Sequence, residues 1–223
     1  NPTQVSAGRD YACAIDDNGV KCWGINNNSG ITNVPSLSNP TQVNAGDSHT
    51  CAIDDNGVQC WGSYYPAAQD VPSLSNPTQV SAGYEYTCAI DDSGVKCWGN
   101  SLFSGLWGEN HSDVPNLSNP TQVSSGFNQT CALDDNGVQC WGQHYHVQDV
   151  PSLSNLIYVS GGSSHTCALD DNGVKCWGDD SVVGIDIPSL SNPIQVSVGN
   201  YHKCALDDNG VQCWGLNWGL NGN

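Results

Sequence analysis

The fold of this chain is decided by a short phrase near its N-terminus. Residues 13–24 read Cys-Ala-Ile-Asp-Asp-Asn-Gly-Val-Lys-Cys-Trp-Gly. With small changes the phrase occurs six times, beginning at Cys13, Cys51, Cys88, Cys131, Cys167 and Cys204. Successive copies begin 38, 37, 43, 36 and 37 residues apart. A repeat of nearly fixed period indicates an architecture of similar units that pack side by side.

Each copy of this phrase predicts a β-hairpin. Two short runs rich in β-forming residues flank an Asp-Asp-Asn-Gly turn, in which Ser93 once replaces the Asn; Asn and Gly tolerate the positive φ angles of tight turns. A second recurring phrase, Pro-Thr-Gln-Val-Ser, alternates polar and apolar residues and predicts a further strand before the hairpin. No stretch shows a sustained helical period of apolar residues. A repeat of this length holds three or four strands, as one propeller blade does.

Six such repeats predict an all-β, six-bladed β-propeller that forms one domain over residues 1–223. The repeats centre on residues 13–22, 51–60, 88–97, 131–140, 167–176 and 204–213. The alternative is an open β-solenoid, which should need atypical capping repeats, whereas the end repeats here resemble the others. The chain begins within the linker phrase and ends shortly after the sixth Trp-Gly. We therefore expect the N-terminal strand to lie beside the last blade and help to complete the ring.

The cysteines fall into six pairs, each separated by nine positions. If Ile15 pairs with Val20 across the turn, then Cys13 faces Cys22, and directly opposed strand residues approach closely enough for a disulfide. This register predicts six disulfides: Cys13–Cys22, Cys51–Cys60, Cys88–Cys97, Cys131–Cys140, Cys167–Cys176 and Cys204–Cys213. Buried free thiols and a metal site are the alternatives, although the Cys-x-x-Cys spacing of structural zinc sites is absent. Regularly paired cysteines predict an extracellular protein, either secreted or at the cell surface.

The charge of the chain limits its partners. Lys and Arg number 5 against 22 Asp and Glu, which gives a formal net charge of −17 at pH 7. This argues against a nucleic-acid partner and against an anionic membrane surface, because both are held mainly by Lys and Arg. The longest apolar runs, such as residues 156–159, are a few residues long, so we expect no membrane insertion.

Two motifs carry a family resemblance. Gly-x-x-His-Thr-Cys-Ala-Ile/Leu occurs at residues 46–53 and 162–169, and Gly-Val-x-Cys-Trp-Gly followed by an Asn- and Gly-bearing segment occurs at residues 210–217. Over essentially the whole chain, these motifs resemble the repeat of the regulator of chromosome condensation superfamily, and the resemblance implies a β-propeller. The blades here are shorter than is usual in that family, number six instead of seven and each carry a cysteine pair. The family's nucleotide-exchange activity is therefore not carried over, and the chain looks closer to the family's secreted bacterial members, which bind proteins.

The repeated phrase also concentrates carboxylates and tryptophans. The acidic pairs are Asp16/Asp17, Asp54/Asp55, Asp91/Asp92, Asp134/Asp135, Asp170/Asp171 and Asp207/Asp208. Equivalent turns of a propeller lie on one face, so these pairs predict an acidic ring. The ring is either a weak site for Ca²⁺ or a cationic partner, or simply a set of soluble turns. The six repeat tryptophans are expected to pack between neighbouring blades: Trp23, Trp61, Trp98, Trp141, Trp177 and Trp214.

The histidines do not indicate an enzyme. His49, His165 and His202 share one repeat position with Tyr11, Tyr86 and Gln129, and this exchange predicts a structural hydrogen-bonding role. His144 and His146 flank Tyr145 in one insert, where a metal or sugar contact is the alternative to an ordinary surface loop. The sequence contains no recognisable Ser-His-Asp set and no Gly-Lys-Ser/Thr phosphate loop. We predict no catalytic activity and no cofactor.

Function is expected in the segments that differ between repeats. One set follows each Trp-Gly and spans residues 25–33, 63–70, 100–113, 143–149, 179–186 and 216–223. A second set precedes each first Cys and spans residues 9–11, 47–48, 84–86, 127–128, 163–164 and 200–201. Aromatic residues among polar ones are typical of recognition surfaces. The candidate binding residues are Tyr64, Tyr65, Phe103, Trp107, Tyr145 and Trp218, and the third insert is the first choice for a contact site.

These observations predict an extracellular, non-enzymatic protein-interaction module. It would bind a protein ligand or form part of an extracellular assembly, including self-assembly. The alternative is a lectin, in which Tyr and Trp stack on sugar rings, although a lectin built from repeats should carry the same aromatic and polar set in several blades. The sequons at Asn27, Asn110, Asn116 and Asn128 allow N-glycosylation in a eukaryotic source.

Overall fold

The computed structural model describes residues 1–25, 30–62, 69–99, 113–142, 149–178 and 186–215. Within these ranges every regular element is a β-strand, and the strands form six three-stranded antiparallel sheets. Each sheet corresponds to one sequence repeat, so the predicted six-bladed propeller is confirmed, and we number the sheets blades 1 to 6 in chain order. None of the described segments forms a helix long and apolar enough to cross a membrane.

The three strands of each blade follow one another along the chain. The first strands, which contact one another from blade to blade, are β1 (Gln4–Ala7), β4 (Gln42–Ala45), β7 (Gln79–Ala82), β10 (Gln122–Ser125), β13 (Tyr158–Gly161) and β16 (Gln195–Val198). The central strands are β2 (Tyr11–Asp16), β5 (Thr50–Asp54), β8 (Tyr86–Asp91), β11 (Gln129–Asp134), β14 (His165–Asp170) and β17 (His202–Asp207). The third strands are β3 (Gly19–Gly24), β6 (Gly57–Trp61), β9 (Gly94–Gly99), β12 (Gly137–Gly142), β15 (Gly173–Gly178) and β18 (Gly210–Gly215).

The hairpin of each blade has the register that the sequence predicts. In blade 1, Ile15 lies opposite Val20 and Cys13 opposite Cys22. The turn is held by the Asp16 carboxylate, which accepts a hydrogen bond from the N–H of Asn18 at 2.7 Å, and it is closed by Gly19 at a φ of 99°. The same register recurs in all the blades, and all six predicted disulfides are present.

The apolar core lies between the blades. At the junction of blades 1 and 2, Cys13, Ile15 and the partly buried Val20 contact the first strand and the tryptophan of the next blade, Val43 and Trp61. Equivalent clusters join blades 2 and 3, 3 and 4, 4 and 5, and 5 and 6. Each blade therefore has two different faces, one that meets the blade before it and one that meets the blade after it.

The repeat tryptophans lie on the face of each blade that meets the preceding blade. Trp61, Trp141 and Trp177 are 5–6% exposed because each packs against the preceding blade, as the sequence predicts. The prediction is wrong for Trp23, which is 53% exposed. In the described ranges, the packing that buries the other three tryptophans is not repeated at this face of blade 1.

The expected position of the N-terminal strand is also wrong. Strand β1 pairs with β2 of its own blade and packs against β4 of blade 2. Across the described residues, the strand packing that joins the other neighbours is not repeated between blade 6 and blade 1. Because each blade supplies all three of its own strands, no strand is exchanged to close the ring, and closure would depend on packing alone.

Candidate functional site

Six short loops surround the propeller axis on one face. They join the first strand of each blade to the second and comprise residues 8–10, 46–49, 83–85, 126–128, 162–164 and 199–201. Together with the adjoining strand ends, these axial loops line a cavity of about 280 Å³. The cavity is the point at which all the repeats contribute to one surface, so we take it as the candidate site.

A glycine begins every axial loop because the backbones approach closely there. A Cβ atom on Gly46 would lie 2.5 Å from the carbonyl oxygen of Gly83, and one on Gly83 would lie 2.6 Å from that of Gly126. The next N–H in each loop bonds across the same gap: Asp47 donates to Gly83 at 3.1 Å and Tyr84 to Gly126 at 3.2 Å. These contacts fix the backbone and leave the following side chains free to differ between blades.

Charged side chains occupy the sector formed by blades 1 and 2. The guanidinium of Arg9 lies 3.6 Å from the carboxylate of Asp47 and 3.9 Å from that of Asp10. Burial raises the pKa of Asp47, and the neighbouring Arg9 partly offsets this effect. This sector can pair with a charged or strongly polar group that enters the cavity.

Aromatic side chains occupy the sector formed by blades 3 and 4. The rings of Tyr84 and Phe127 lie with their centroids 4.0 Å apart and their planes inclined by 37°. Both residues directly follow the loop glycine, and both are half-buried. An aromatic surface next to a charged sector can hold an apolar side chain or a cation from a partner protein.

The structure brings together one of the two sets of variable segments. The set that precedes each first Cys lies in and next to the axial loops, because these residues directly follow the glycine that begins each loop. The six candidate binding residues of the other set lie outside the described residues: Tyr64, Tyr65, Phe103, Trp107, Tyr145 and Trp218. His144, His146 and the sequons at Asn27 and Asn110 also lie there, whereas Asn116 is exposed and Asn128 is half-buried in an axial loop.

In blades 1 to 4 the shared Tyr, His and Gln position has the structural role that the sequence predicts. The side chain there reaches into the following blade: Tyr11 donates from its hydroxyl to the carbonyl oxygen of His49 at 2.6 Å, and Gln129 donates to that of His165 at 2.7 Å. The Nε2 atom of His49 lies 2.8 Å from the hydroxyl of Thr87. Burial lowers the pKa of His49 to about 4, which keeps its ring neutral. These side chains join blades 1 to 5, whereas His202 of blade 6 is exposed and lines the cavity.

The first carboxylate of each acidic pair ties the hairpin turn to the linker. Asp54 accepts hydrogen bonds at 2.8 Å from the N–H groups of Ser38 and Asn56 and from the side chain of Gln59. Burial alone would raise the pKa of Asp54, but these hydrogen bonds lower it overall. In blade 3, the Lys96 ammonium donates to Asp91 from the place that Gln59 has in blade 2. Lys and Gln alternate at this position along the six repeats, and both side chains reach the equivalent carboxylate.

The second carboxylate of the pair holds a turn of the linker. Asp55 accepts from the hydroxyl of Ser38 at 3.1 Å and from the amide of Asn39 at 2.5 Å. Asn39 has a φ of 49°, a left-handed conformation that Asn adopts more readily than most residues. Within the described ranges, no three His, Cys, Asp or Glu side chains are grouped as a metal ion would require. The calcium hypothesis for Asp16, Asp17 and their equivalents stays a prediction.

The repeat itself identifies the family. The family described as "Regulator of chromosome condensation (RCC1) repeat" matches residues 3–30, 41–63, 78–104, 157–182 and 194–217, which is more than half of the chain. This chain belongs to the RCC1 repeat family. The matches cover every blade except blade 4, so the resemblance inferred from the sequence motifs is confirmed. No curated protein sequence is significantly similar to the chain.

Solved structures of RCC1-like propellers are similar in fold. The CRINKLY WD40 ectodomain of the Arabidopsis thaliana receptor kinase ACR4 is 24% identical, with a TM-score of 0.77 over 97% of this chain and 80% of that one. The entire ectodomain of the Physcomitrella patens receptor kinase CR4 is 20% identical, with a TM-score of 0.79 over 96% and 64%. Prp20p from Saccharomyces cerevisiae is 18% identical, with a TM-score of 0.76 over 96% and 72%. At these identities the likeness shows the fold alone.

Proposed function

We propose that this RCC1-repeat propeller is a non-enzymatic protein-binding module that acts outside the cell. The observation that carries the proposal is the axial face, where one constant glycine backbone displays six different loops around a shared cavity. Loops on a rigid scaffold are where proteins place recognition residues. A surface that repeats in backbone and differs in side chains suits one asymmetric partner better than several identical ligands.

The extracellular location is supported by the cysteines. Every one of the twelve is paired within its own hairpin, and no free cysteine is present. Disulfides on this scale persist in oxidising compartments and are rare where thiols are kept reduced. Two of the similar structures are ectodomains of plant receptor kinases, which agrees with this location.

A protein partner is favoured by the composition of the axial loops. The Tyr84–Phe127 pair offers apolar contact, and the Arg9–Asp47 sector offers charged contact beside it. Prp20p, which shares the fold, is described by its binding to Gsp1p and histones. A net charge of −17 favours a partner surface that carries positive charge and opposes a nucleic acid.

The proposal is tested by comparing partner capture by variants of the folded chain. The Tyr84→Ser, Phe127→Ser variant removes the aromatic sector, and Ile157→Thr is the control, since Ile157 is 55% exposed and Thr is the equivalent residue in blades 1 to 4. A third variant, Phe103→Ala with Trp107→Ala, tests the third insert. We expect proteins captured by the native chain and by the control to be lost with the axial variant. Equal capture by native chain and axial variant would contradict the proposed site, and specific binding on a glycan array would favour the lectin.

A further inference from the structure

A groove of about 540 Å³ lies at the junction of blades 5 and 6. Its walls are residues 170–174 of the blade 5 hairpin and parts of residues 187–194, which lead into blade 6. Each central strand begins after an axial loop and ends at a hairpin turn, so the groove lies at the opposite end of the blades from the axial face. It is therefore a second surface, separate from the axial cavity.

Three isoleucine side chains line this groove, which we call the isoleucine groove. Ile157, Ile187 and Ile194 are 55%, 38% and 65% exposed. Ile157 and Ile194 occupy a repeat position that holds Thr in blades 1 to 4. The position of Ile187 holds a partly buried Val in the other linkers: Val34, Val71, Val114 and Val150. Exposed apolar side chains that share one groove are typical of interaction surfaces.

The linker before blade 6 packs differently from the other linkers. At the other four junctions between described blades, the linker leucine packs against the apolar cluster: Leu37, Leu74, Leu117 and Leu153. The cluster between blades 5 and 6 includes Val174 and Val198. Leu190, the equivalent leucine, is not part of that cluster and lines the groove instead. The groove is thus open at a place that the repeat fills elsewhere.

The rim of the isoleucine groove is acidic. The carboxylate of Asp171, at the groove, accepts a hydrogen bond from the side-chain amide of Asn155. On the other side, the carboxylate of Asp208 accepts from the hydroxyl of Ser191 at 3.1 Å and from the amide of Asn192 at 2.6 Å. These donors are neutral, so they hold the two carboxylates in place without cancelling their charge.

The cation beside the groove is already used by blade 5. The Lys175 ammonium donates at 2.9 Å to the carboxylate of Asp170 and to the carbonyl oxygen of Ser152. In blade 6 the equivalent carboxylate, Asp207, accepts from the N–H of Ser191 and from the side chain of Gln212, both at 2.8 Å. These hydrogen bonds lower the pKa of Asp207 and keep it ionised at neutral pH. The surroundings of the groove are therefore apolar and negatively charged together.

We propose that the isoleucine groove binds a segment of a partner protein that carries aliphatic side chains next to Lys or Arg. The aliphatic side chains pack against the three isoleucines, and the cations pair with Asp171 and Asp208 at the rim. The proposal does not rest on the axial face. A partner of the groove is lost with Ile157→Thr, whereas a partner of the axial face is retained, so the two sites can be distinguished.

Thr is compatible with the fold at both isoleucine positions of the strands. The Ile157 N–H donates to the carbonyl oxygen of Leu169 at 2.9 Å, as the Thr3 N–H donates to that of Ile15 at the same distance in blade 1. The Ile157→Thr, Ile194→Thr variant therefore removes apolar surface from the groove and keeps the backbone contacts. We expect its thermal unfolding to match that of the native chain.

The test uses a random peptide library displayed on phage and selected on the folded, oxidised full chain. Peptides that also bind the Ile157→Thr, Ile194→Thr variant are removed by counter-selection. We expect the remaining peptides to be enriched in Ile, Leu or Val together with Lys or Arg. Their synthetic copies should bind the Ile187→Thr variant, which takes no part in the selection, at least about fivefold more weakly. Val5→Thr, at an exposed position outside the groove, should bind as the native chain does.

The charge of the occupant is tested on the same peptides. Replacing their Lys and Arg with Glu should weaken binding at least about tenfold, because the rim would then repel them. The proposal is overturned if no peptide survives counter-selection, if the surviving peptides lack basic residues, or if Ile187→Thr binds them as Val5→Thr does.

Two further outcomes would assign the groove to another occupant and overturn the proposal. The first is dimerisation of the native chain, measured by analytical ultracentrifugation, that the Ile157→Thr, Ile194→Thr variant abolishes. The second is peptide binding that occurs only after residues 179–185 are replaced by a Gly-Ser linker, because the chain's own insert would then be the occupant. We expect a monomer in the first measurement and peptide binding without the replacement in the second.

Discussion

His49 is a buried titratable side chain between blades 2 and 3, and it is 0% exposed. Burial lowers the pKa of His49 to about 4, whereas an unfolded chain would have a His pKa near 6.5. The unfolded state therefore binds more protons than the folded state between these values. The contribution of His49 to stability is complete above pH 6.5 and is lost as the pH falls towards 4.

We expect the His49→Gln variant to lose part of this pH dependence. Gln129 occupies the same position in blade 4 and donates to Thr166 at 2.8 Å, so Gln is accommodated. Between pH 7 and pH 4.5, the native chain should lose about 2–3 kcal/mol of stability more than the variant. Guanidinium unfolding at both pH values measures this difference, and an identical pH slope in the two proteins would refute a buried neutral His49.

Asp54 and Gln59 give a contrasting pair of expectations. Asp54→Ala should destabilise the chain by about 2–3 kcal/mol, because it leaves the buried N–H groups of the turn and linker without their acceptor. Gln59→Lys should change stability by less than about 1 kcal/mol, because Lys96 makes the same contact in blade 3. Thermal unfolding of both variants checks the contrast. Equal destabilisation by the two substitutions would mean that the carboxylate does not hold the turn.

At the scale of the element, the hairpin could be predicted almost completely. The nine-residue cysteine spacing and the four-residue turn left one register in which Cys13 faces Cys22, and this register is observed. The reason is that a two-residue side-chain period allows no slip once the turn and the disulfide are fixed. The strand before each hairpin was predicted from its alternation and is also observed.

Contacts between elements could not be predicted in the same way. Tyr84 and Phe127 lie in different repeats and touch because the axial loops of blades 3 and 4 lie side by side. Lys21 and Gln59 occupy equivalent repeat positions, but only the fold shows that they donate to equivalent carboxylates, Asp16 and Asp54. Such contacts depend on the angle between blades, which no single repeat encodes.

The six disulfides should differ in their resistance to reduction. Each disulfide closes a loop of the same length, so the loop-closure entropy is the same for all six. Cys13, Cys51, Cys88, Cys131 and Cys167 are 0% exposed, but Cys204 is only partly buried and Cys213 is exposed. We expect Cys204–Cys213 to be reduced first under limiting reductant, with Cys167–Cys176 of the adjacent blade as the matched control.

Alkylation of the new thiols followed by mass spectrometry identifies the order of reduction. Modification of Cys204 and Cys213 before the other cysteines is the expected result. Simultaneous modification of all six pairs, or earlier modification of Cys167 and Cys176, would show that the surface of blade 6 is covered.

At the scale of the whole molecule, the six repeats predict six blades, and these are observed, but the number of repeats does not fix how blades 6 and 1 meet. Closure of the ring depends on the angle between neighbouring blades. That angle is set by the packing of the Val and Trp side chains and by the close approach of the Gly backbones. The exposed Val5 and Val211 are the two ends of that packing. The sequences of blades 1 and 6 are ordinary for the repeat, so nothing in either repeat indicates that these two valines are exposed.

Amide hydrogen exchange at β1 and β4 tests this account most directly. The N–H groups of Val43 and Ala45 donate to Gln4 and Ser6 of the preceding blade, and no such acceptor faces Val5 or Ala7 in the described part of the chain. We predict that Val5 and Ala7 exchange at least about tenfold faster than Val43 and Ala45. Gly8, whose N–H donates to Tyr11 at 2.9 Å, should stay protected and so exclude simple fraying of β1. Equal protection of Val5 and Val43 in the isolated chain would contradict the open junction.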